Sequence, residues 1–204
     1  MSWSLGEVKS LAIKAARGGG YPWGIAEDAG YAVEMLQKNG LAGAAALADL
    51  LEEREAEDGC LSCNCHTENR LEKINCPLRL GAYLKDLGTL DRMAVEIYQP
   101  WLLAPFLDRH SANATKLTSN GLEITVGNGK IAIEIAANFP KSGLISAKIA
   151  QGPLPISDVS HHTRVPADQF DAISKLEIFA HRTYAPSTEQ SRVAGAGAGL
   201  TEND

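Results

Sequence analysis

The fold class is decided by residues 122–135, which read LEITVGNGKIAIEI. Apolar and polar side chains alternate on both sides of a Gly-Asn-Gly turn, and this two-residue period is typical of strands with one buried face. An Asn-Gly pair between two such runs predicts a β-hairpin, because both residues tolerate the positive φ angles of a tight turn. We therefore expect a hairpin from Leu122 to Ile135, with Ile124 and Ile133 facing the core.

The N-terminal quarter has a helical period instead and predicts three helices. Ser4 and Glu7 form a capping-box pattern ahead of the first helix, which should end near Arg17 at a run of three glycines. The second helix should begin at Pro22, and the third should cover residues 41–53. The side chains expected to pack these helices together are Val8, Leu11, Val33, Leu36, Leu47 and Leu50.

The remaining elements are expected on both sides of the hairpin. Residues 78–87 predict a short helix, residues 93–107 are interpreted as a strand interrupted by two prolines, and residues 144–149 predict a third strand. A last helix should cover residues 167–181. Helices, then strands, then a helix favour an α+β fold: an N-terminal helical bundle followed by a mostly antiparallel sheet and a C-terminal helix.

Composition changes divide the chain into four parts. Residues 1–54 form the helical part, 55–77 a Cys-containing loop, 78–194 the α+β part, and 195–204 a Gly/Ala-rich tail. With 204 residues, of which 45% are hydrophobic, the chain can bury a substantial core. We expect one integrated domain.

Net charge and targeting patterns limit the partners that the protein is expected to have. Nineteen Lys and Arg against 25 Asp and Glu give a net charge of −6, which disfavours binding to nucleic acid. The sequence shows no signal-peptide pattern and no membrane-spanning apolar run, so a cytoplasmic protein without a membrane partner is expected. A homo-oligomer is compatible with the sequence.

The glycine-rich turn between the first two helices is the first candidate site. Glycine N–H groups beside a helix N-terminus and a guanidinium suit a carboxylate or phosphate. The alternative is a purely architectural turn with Trp23 as a core anchor. The C-terminal tail could fold over the same ligand, with Arg182 or Arg192 as a clamp. The expected ligand-binding residues are Arg17, Gly19, Gly20, Trp23, Arg192, Gly195 and Gly197.

The second candidate is a zinc site in the cysteine-containing loop. Cys60 and Cys63 have the two-residue gap that lets two thiolates reach one tetrahedral ion, and Cys65 and His66 follow directly. Cys76 is a further potential ligand. The alternative is a Cys-rich loop without metal, with Cys76 buried separately.

Three segments resemble one family of proteins. They are KAARGGGYPWGIAEDAG at residues 14–30, CPLRLGAYLKD at 76–86, and RTYAPSTEQSR at 182–192 with GAGAG at 195–199. This combination resembles an uncharacterised bacterial family known as a domain of unknown function. The resemblance implies one integrated unit and a tail that is more than a frayed end. It implies no established activity, cofactor or catalytic residue, and the cysteine cluster is not typical of the family.

The sequence is therefore compatible with two functions. The first is a small-metabolite enzyme or metabolite-binding accessory protein that acts on an anionic ligand. The second is a structural or interaction protein with a zinc-binding cysteine loop. No catalytic motif of the nucleophile-elbow or HExxH type is present, so no residue is assigned to catalysis.

Overall fold

A computed structural model describes six segments of the chain, residues 3–56, 75–87, 93–108, 114–137, 143–152 and 162–184. They contain five α-helices, two short 3₁₀ helices and one five-stranded sheet. The α+β class is confirmed. No helix in these segments combines the length and the apolar composition needed to cross a membrane.

The three N-terminal helices are confirmed as α1 (Leu5–Gly18), α2 (Trp23–Lys38) and α3 (Gly43–Ala56). A capping box starts α1: the Ser4 hydroxyl accepts from the Glu7 N–H, and the Glu7 carboxylate accepts from the Ser4 N–H. All six side chains predicted to join these helices are buried. The apolar stripe of each helix therefore packs as its period predicts.

The two later helices are confirmed as well. They are α4 (Pro77–Leu87) and α5 (Phe170–His181), the latter preceded by a 3₁₀ turn at Ala167–Gln169. Helix α5 packs beside α1 and α3 and buries Ile173, Leu176 and Phe179.

The strand expected over residues 93–107 is wrong in its second half. Strand β1 (Met93–Ile97) is followed by a 3₁₀ helix, Pro100–Leu107. Gln99 takes a left-handed backbone conformation, with φ of 40°, and turns the chain out of the strand. Prolines cannot donate to a strand ladder, whereas the fixed φ of Pro100 suits the start of a helix. The apolar side chains of residues 100–107 are therefore buried on a 3₁₀ helix rather than on a strand.

The sheet contains β1, β2 (Ala114–Ser119), β3 (Leu122–Gly127), β4 (Lys130–Ile135) and β5 (Ile145–Gly152). Its order is β1-β5-β2-β3-β4, and every neighbouring pair is antiparallel. The hairpin and the third strand are confirmed. Strand β2 is not predicted by the sequence pattern, because its segment, ATKLTS, has little apolar alternation.

The β3–β4 hairpin has the predicted turn and register. Asn128 and Gly129 both have positive φ, at 52° and 74°, as the tight hairpin turn requires. Ile124 pairs with Ile133; Ile124 is fully buried, and Ile133 packs partly buried against the core.

Asn39, at the end of α2, fastens the hairpin to the helices. Its side-chain nitrogen donates to the carbonyls of Met35 (2.9 Å) and Gly129 (3.3 Å), and its oxygen accepts from the Ile131 N–H (3.1 Å). The Asp108 carboxylate accepts from the Gly129 N–H at 2.6 Å. Helix and hairpin are thus joined by directional bonds as well as by apolar contact.

One hydrophobic cluster contains buried side chains from all of the described α-helices and strands. The 3₁₀ helix Pro100–Leu107 lies in its middle, in contact with α2, α4 and β3. The outer face of the sheet carries polar side chains, including Glu96, Ser146 and Lys148. The inner face of the sheet and the helices therefore share one core.

Candidate functional site

The glycine turn after α1 brings three helices into close contact. A Cβ on Gly18 would overlap the carbonyl oxygen of Phe179 in α5, and a Cβ on Gly19 would lie 2.5 Å from Leu51 Cδ2 in α3. Gly20 has φ of 86°, a conformation that favours glycine. The glycines therefore allow close packing of the helices, which is the architectural role that the alternative interpretation gives them.

Arg17 and Trp23 form a pair on the outside of this turn. The Arg17 guanidinium donates to the Tyr21 carbonyl at 2.6 Å and lies 4.8 Å from the centre of the Trp23 ring. Trp23 is 63% exposed, so the interpretation of Trp23 as a core anchor is wrong. As the first residue of α2 it covers the arginine instead of entering the core.

A cavity of about 480 Å³ opens beside the turn. The side chains and backbone that line it come from the ends of α1, α3 and α5: Gly18, Gly19, Gly20, Leu51, Arg54, Glu55, Phe179 and Arg182. Two predicted residues, Gly19 and Gly20, line the cavity, whereas Arg17 and Trp23 do not.

Arg54 is held by two contacts at the wall of this cavity. Its Nε donates to the Gly19 carbonyl at 2.9 Å, and its guanidinium carbon lies 4.4 Å from the centre of the Tyr21 ring. No carboxylate within the described segments pairs with its guanidinium, which also interacts with the Tyr21 hydroxyl. Gly20 leaves space in front of the guanidinium, since a Cβ there would lie 3.6 Å from Arg54 Nη2.

Arg182 supplies the second guanidinium. It pairs with Glu55 at 3.0 Å and stacks 4.3 Å from the centre of the Phe179 ring. Among the described residues, the charged side chains lining the cavity are therefore two guanidinium groups and one carboxylate, which leaves a net positive charge.

Helix dipoles explain part of this basic cluster. The C-terminal ends of α1, α3 and α5 converge here, and each presents carbonyls that carry partial negative charge. Arg17 and Arg54 lie in the last turns of α1 and α3, and Arg182 caps α5. These arginines stabilise the helix ends, and the Arg54 bond to Gly19 shows this directly. The Nη atoms of Arg54 are not needed for that bond.

Behind the turn lies a buried pair, Tyr21 and Cys76. Both side chains are almost fully buried, and the Tyr21 hydroxyl lies 3.2 Å from the Cys76 sulfur. Burial raises the pKa of the Tyr21 phenol above its ordinary value, as does the neighbouring thiol, while the Arg54 guanidinium acts in the opposite direction. Cys76 is a free thiol that packs as a core residue.

This raised pKa predicts a loss of stability in alkali. Above about pH 10 the phenol ionises in the unfolded chain but stays neutral in the folded one, so the free energy of unfolding should fall by up to about 1.4 kcal/mol per pH unit. Urea unfolding from pH 8 to 11 measures the slope. Tyr21→Phe should flatten it, whereas Tyr83→Phe, at an exposed position, should not. Equal slopes in both variants would contradict the assignment.

Several predicted site residues lie outside the described segments. They are Arg192, Gly195 and Gly197 of the tail and Cys60, Cys63, Cys65 and His66 of the loop. Within the described segments, no three His, Cys, Asp or Glu side chains are grouped to hold a metal ion. The zinc site and the tail contacts stay predictions.

Sequence reasoning missed Arg54, the best-placed cation of the cavity. Its only local signal is its position in the last turn of α3, where basic residues commonly complement a helix end. Arg182, considered as a clamp, does line the cavity.

Comparison with known proteins agrees with the family resemblance in part of the chain. Residues 3–77, which include the glycine turn and α1 to α3, match a family described as "Protein of unknown function (DUF3726)". No curated protein and no solved structure matches the chain. The matched N-terminal region therefore resembles an uncharacterised domain of unknown function.

Proposed function

We propose that the protein binds a small anionic metabolite in the cavity beside the glycine turn, with Arg54 and Arg182 as the recognising groups. A single observation carries the proposal: Arg54 is held by Gly19 and Tyr21 and lines the cavity, with no carboxylate partner among the described residues. A guanidinium fork matches the geometry of a carboxylate or phosphate.

Preorganisation supports this proposal. Arg54 has already lost its side-chain freedom through its hydrogen bond and its stacking, so binding would not have to order it again. Arg182 contacts Glu55 and Phe179 in a more exposed position. The cavity volume, about 480 Å³, falls within the range of small-molecule sites.

Binding is the part of the expected function that this geometry favours. The described lining contains no cysteine, serine or histidine beside the two arginines. A metabolite-binding accessory protein therefore fits this cavity better than an enzyme that needs a nucleophile.

A cytoplasmic location belongs to the proposal, since a free thiol such as Cys76 suits a reducing compartment. Cell fractionation tests that part.

Isothermal titration calorimetry with inorganic phosphate, pyrophosphate and citrate tests the site. We expect at least one of these anions to bind the wild-type protein, and Arg54→Lys to weaken that binding by about tenfold or more, because lysine keeps the charge but loses the fork. Arg182→Gln should weaken it as well.

Lys148→Gln is the matched control, since it removes one positive charge from an exposed position on the outer face of the sheet. Its affinity should equal that of the wild type. The proposal fails if none of the three anions binds at millimolar concentration. It also fails if folded Arg54→Lys and Arg182→Gln variants, checked by circular dichroism, bind as tightly as the wild type.

The zinc-binding alternative concerns residues outside the described segments, and metal analysis separates it from the first proposal. Protein purified without chelators should carry one zinc per chain if Cys60, Cys63, Cys65 and His66 form a closed ligand set. Protein that folds normally with no bound zinc would reject it.

A further inference from the structure

A second cavity lies on the opposite side of α3 from the arginines, between the first half of that helix, strand β4 and the segment 99–101. Its volume is about 340 Å³, near the lower limit of small-ligand sites. It is lined by Leu36, Leu41, Ala42, Ala45, Ala46, Asp49, Gln99, Trp101, Ile133 and Ile135. Most of this lining is apolar, and among the described residues Asp49 is the only ionisable side chain in it.

The floor of this cavity is shaped by Gln99. This residue is 3% exposed and has a left-handed backbone, an uncommon conformation for a residue other than glycine. Its Oε1 accepts a hydrogen bond from the Trp101 indole at 2.9 Å. Such strained positions persist where the surrounding structure holds them, and they cluster at ligand sites. The hydrogen bond fixes the indole at the cavity wall.

Asp49 places a carboxylate beside these apolar walls. It makes no hydrogen bond and no ion pair within the described segments. The cation whose charge acts on Asp49, Lys175, is bound to Glu52 at 2.9 Å and so is already paired. Burial raises the pKa of Asp49; Lys175 acts against this shift, and the Glu52 carboxylate adds to it. A carboxylate in this setting gains from a ligand that brings its own positive charge.

We propose that this cavity binds a small organic ammonium ion, whose charged group donates hydrogen bonds to the Asp49 carboxylate while its apolar part packs against Leu41, Ala45 and Ile133. Trp101 adds to the selectivity, because an aromatic ring attracts a cation and repels an anion. The ligand is thus opposite in charge to the one proposed for the arginine cavity. The two proposals rest on different residues, so the test of one does not decide the other.

Calorimetric titrations with hexylamine, hexanol and hexanoate test the proposal, because the three compounds share one apolar chain and differ in their head groups. At neutral pH, hexylammonium should bind to the wild-type protein, hexanol at least tenfold more weakly, and hexanoate not at all. Binding of hexanoate as tightly as hexylammonium, or of none of the three at millimolar concentration, would overturn the proposal.

Two variants locate the binding in the cavity. Asp49→Asn keeps the side-chain shape and removes the charge, and it should weaken hexylammonium binding about tenfold or more. Ala45→Leu keeps the charge and fills the cavity, and it should weaken all binding. Asp86→Asn makes the same chemical change at an exposed position of α4 and should leave the affinity unchanged. Unchanged affinity in folded Asp49→Asn and Ala45→Leu would place the ammonium elsewhere and reject the assignment.

Discussion

Replacing Gly18 by alanine should lower the free energy of unfolding by about 1–3 kcal/mol, near the upper end of that range, although the change adds a single methyl group. The new Cβ would overlap the backbone carbonyl oxygen of Phe179. A backbone carbonyl cannot rotate away as the end of a side chain can, so α1 and α5 must separate. Their contact is one of the largest between helices in the described structure.

The same substitution at Gly24 provides a matched control with the opposite sign. Gly24 lies in α2, and nothing stands within 4 Å of its Cβ position. Alanine there should raise the free energy of unfolding by about 0.5–1 kcal/mol, because it restricts the unfolded chain and favours the helix. Chemical denaturation of the two variants gives both values. If Gly18→Ala is as stable as Gly24→Ala, the close helix contact at Gly18 is wrong.

Truncating Leu36 to alanine should cost about 2–5 kcal/mol. Leu36 is 1% exposed in α2 and packs in the cluster that joins the helices to the sheet. The substitution removes buried methyl groups and leaves space that the neighbouring backbone cannot fill. Because Leu36 also lines the cavity beside Asp49, the added space should be partly open to water.

Ile178→Ala serves as the control, because Ile178 lies on α5 with 62% of its surface exposed. Its removal should change the free energy of unfolding by no more than about 0.5 kcal/mol. Urea unfolding at neutral pH measures both variants. A loss below about 1 kcal/mol for Leu36→Ala would contradict the placement of Leu36 at the centre of the core.

The elements predicted correctly are those with strong local signals. The capping box at Ser4 and the helical period of Val8 and Leu11 lie within a few residues of each other, and so do the alternation and turn of the hairpin. In these segments the backbone conformation follows from neighbouring side chains. The segment 93–107 lacked such a signal, because an apolar run has no period that separates a strand from a buried helix.

The candidate sites depended much more on the tertiary structure. The run of glycines indicated a candidate site at the turn. The local sequence also suggested Arg17 and Trp23 as ligand-binding residues, but neither lines the cavity. Arg54 has no motif around it. It faces the cavity only because the ends of α1, α3 and α5 meet there. That meeting depends on Gly18 and Gly19 allowing close contact.

By itself the sequence determined the α+β class, the three N-terminal helices with their buried stripes and the β3–β4 hairpin, since periodicity, capping and turn chemistry act over a few residues. Only the tertiary structure decided that Asn39 fastens the hairpin to α2, that Tyr21 meets Cys76, and that Asp49 faces an apolar cavity. Each of these contacts joins residues distant in the chain. Their pairing depends on how whole elements pack, which no local pattern encodes.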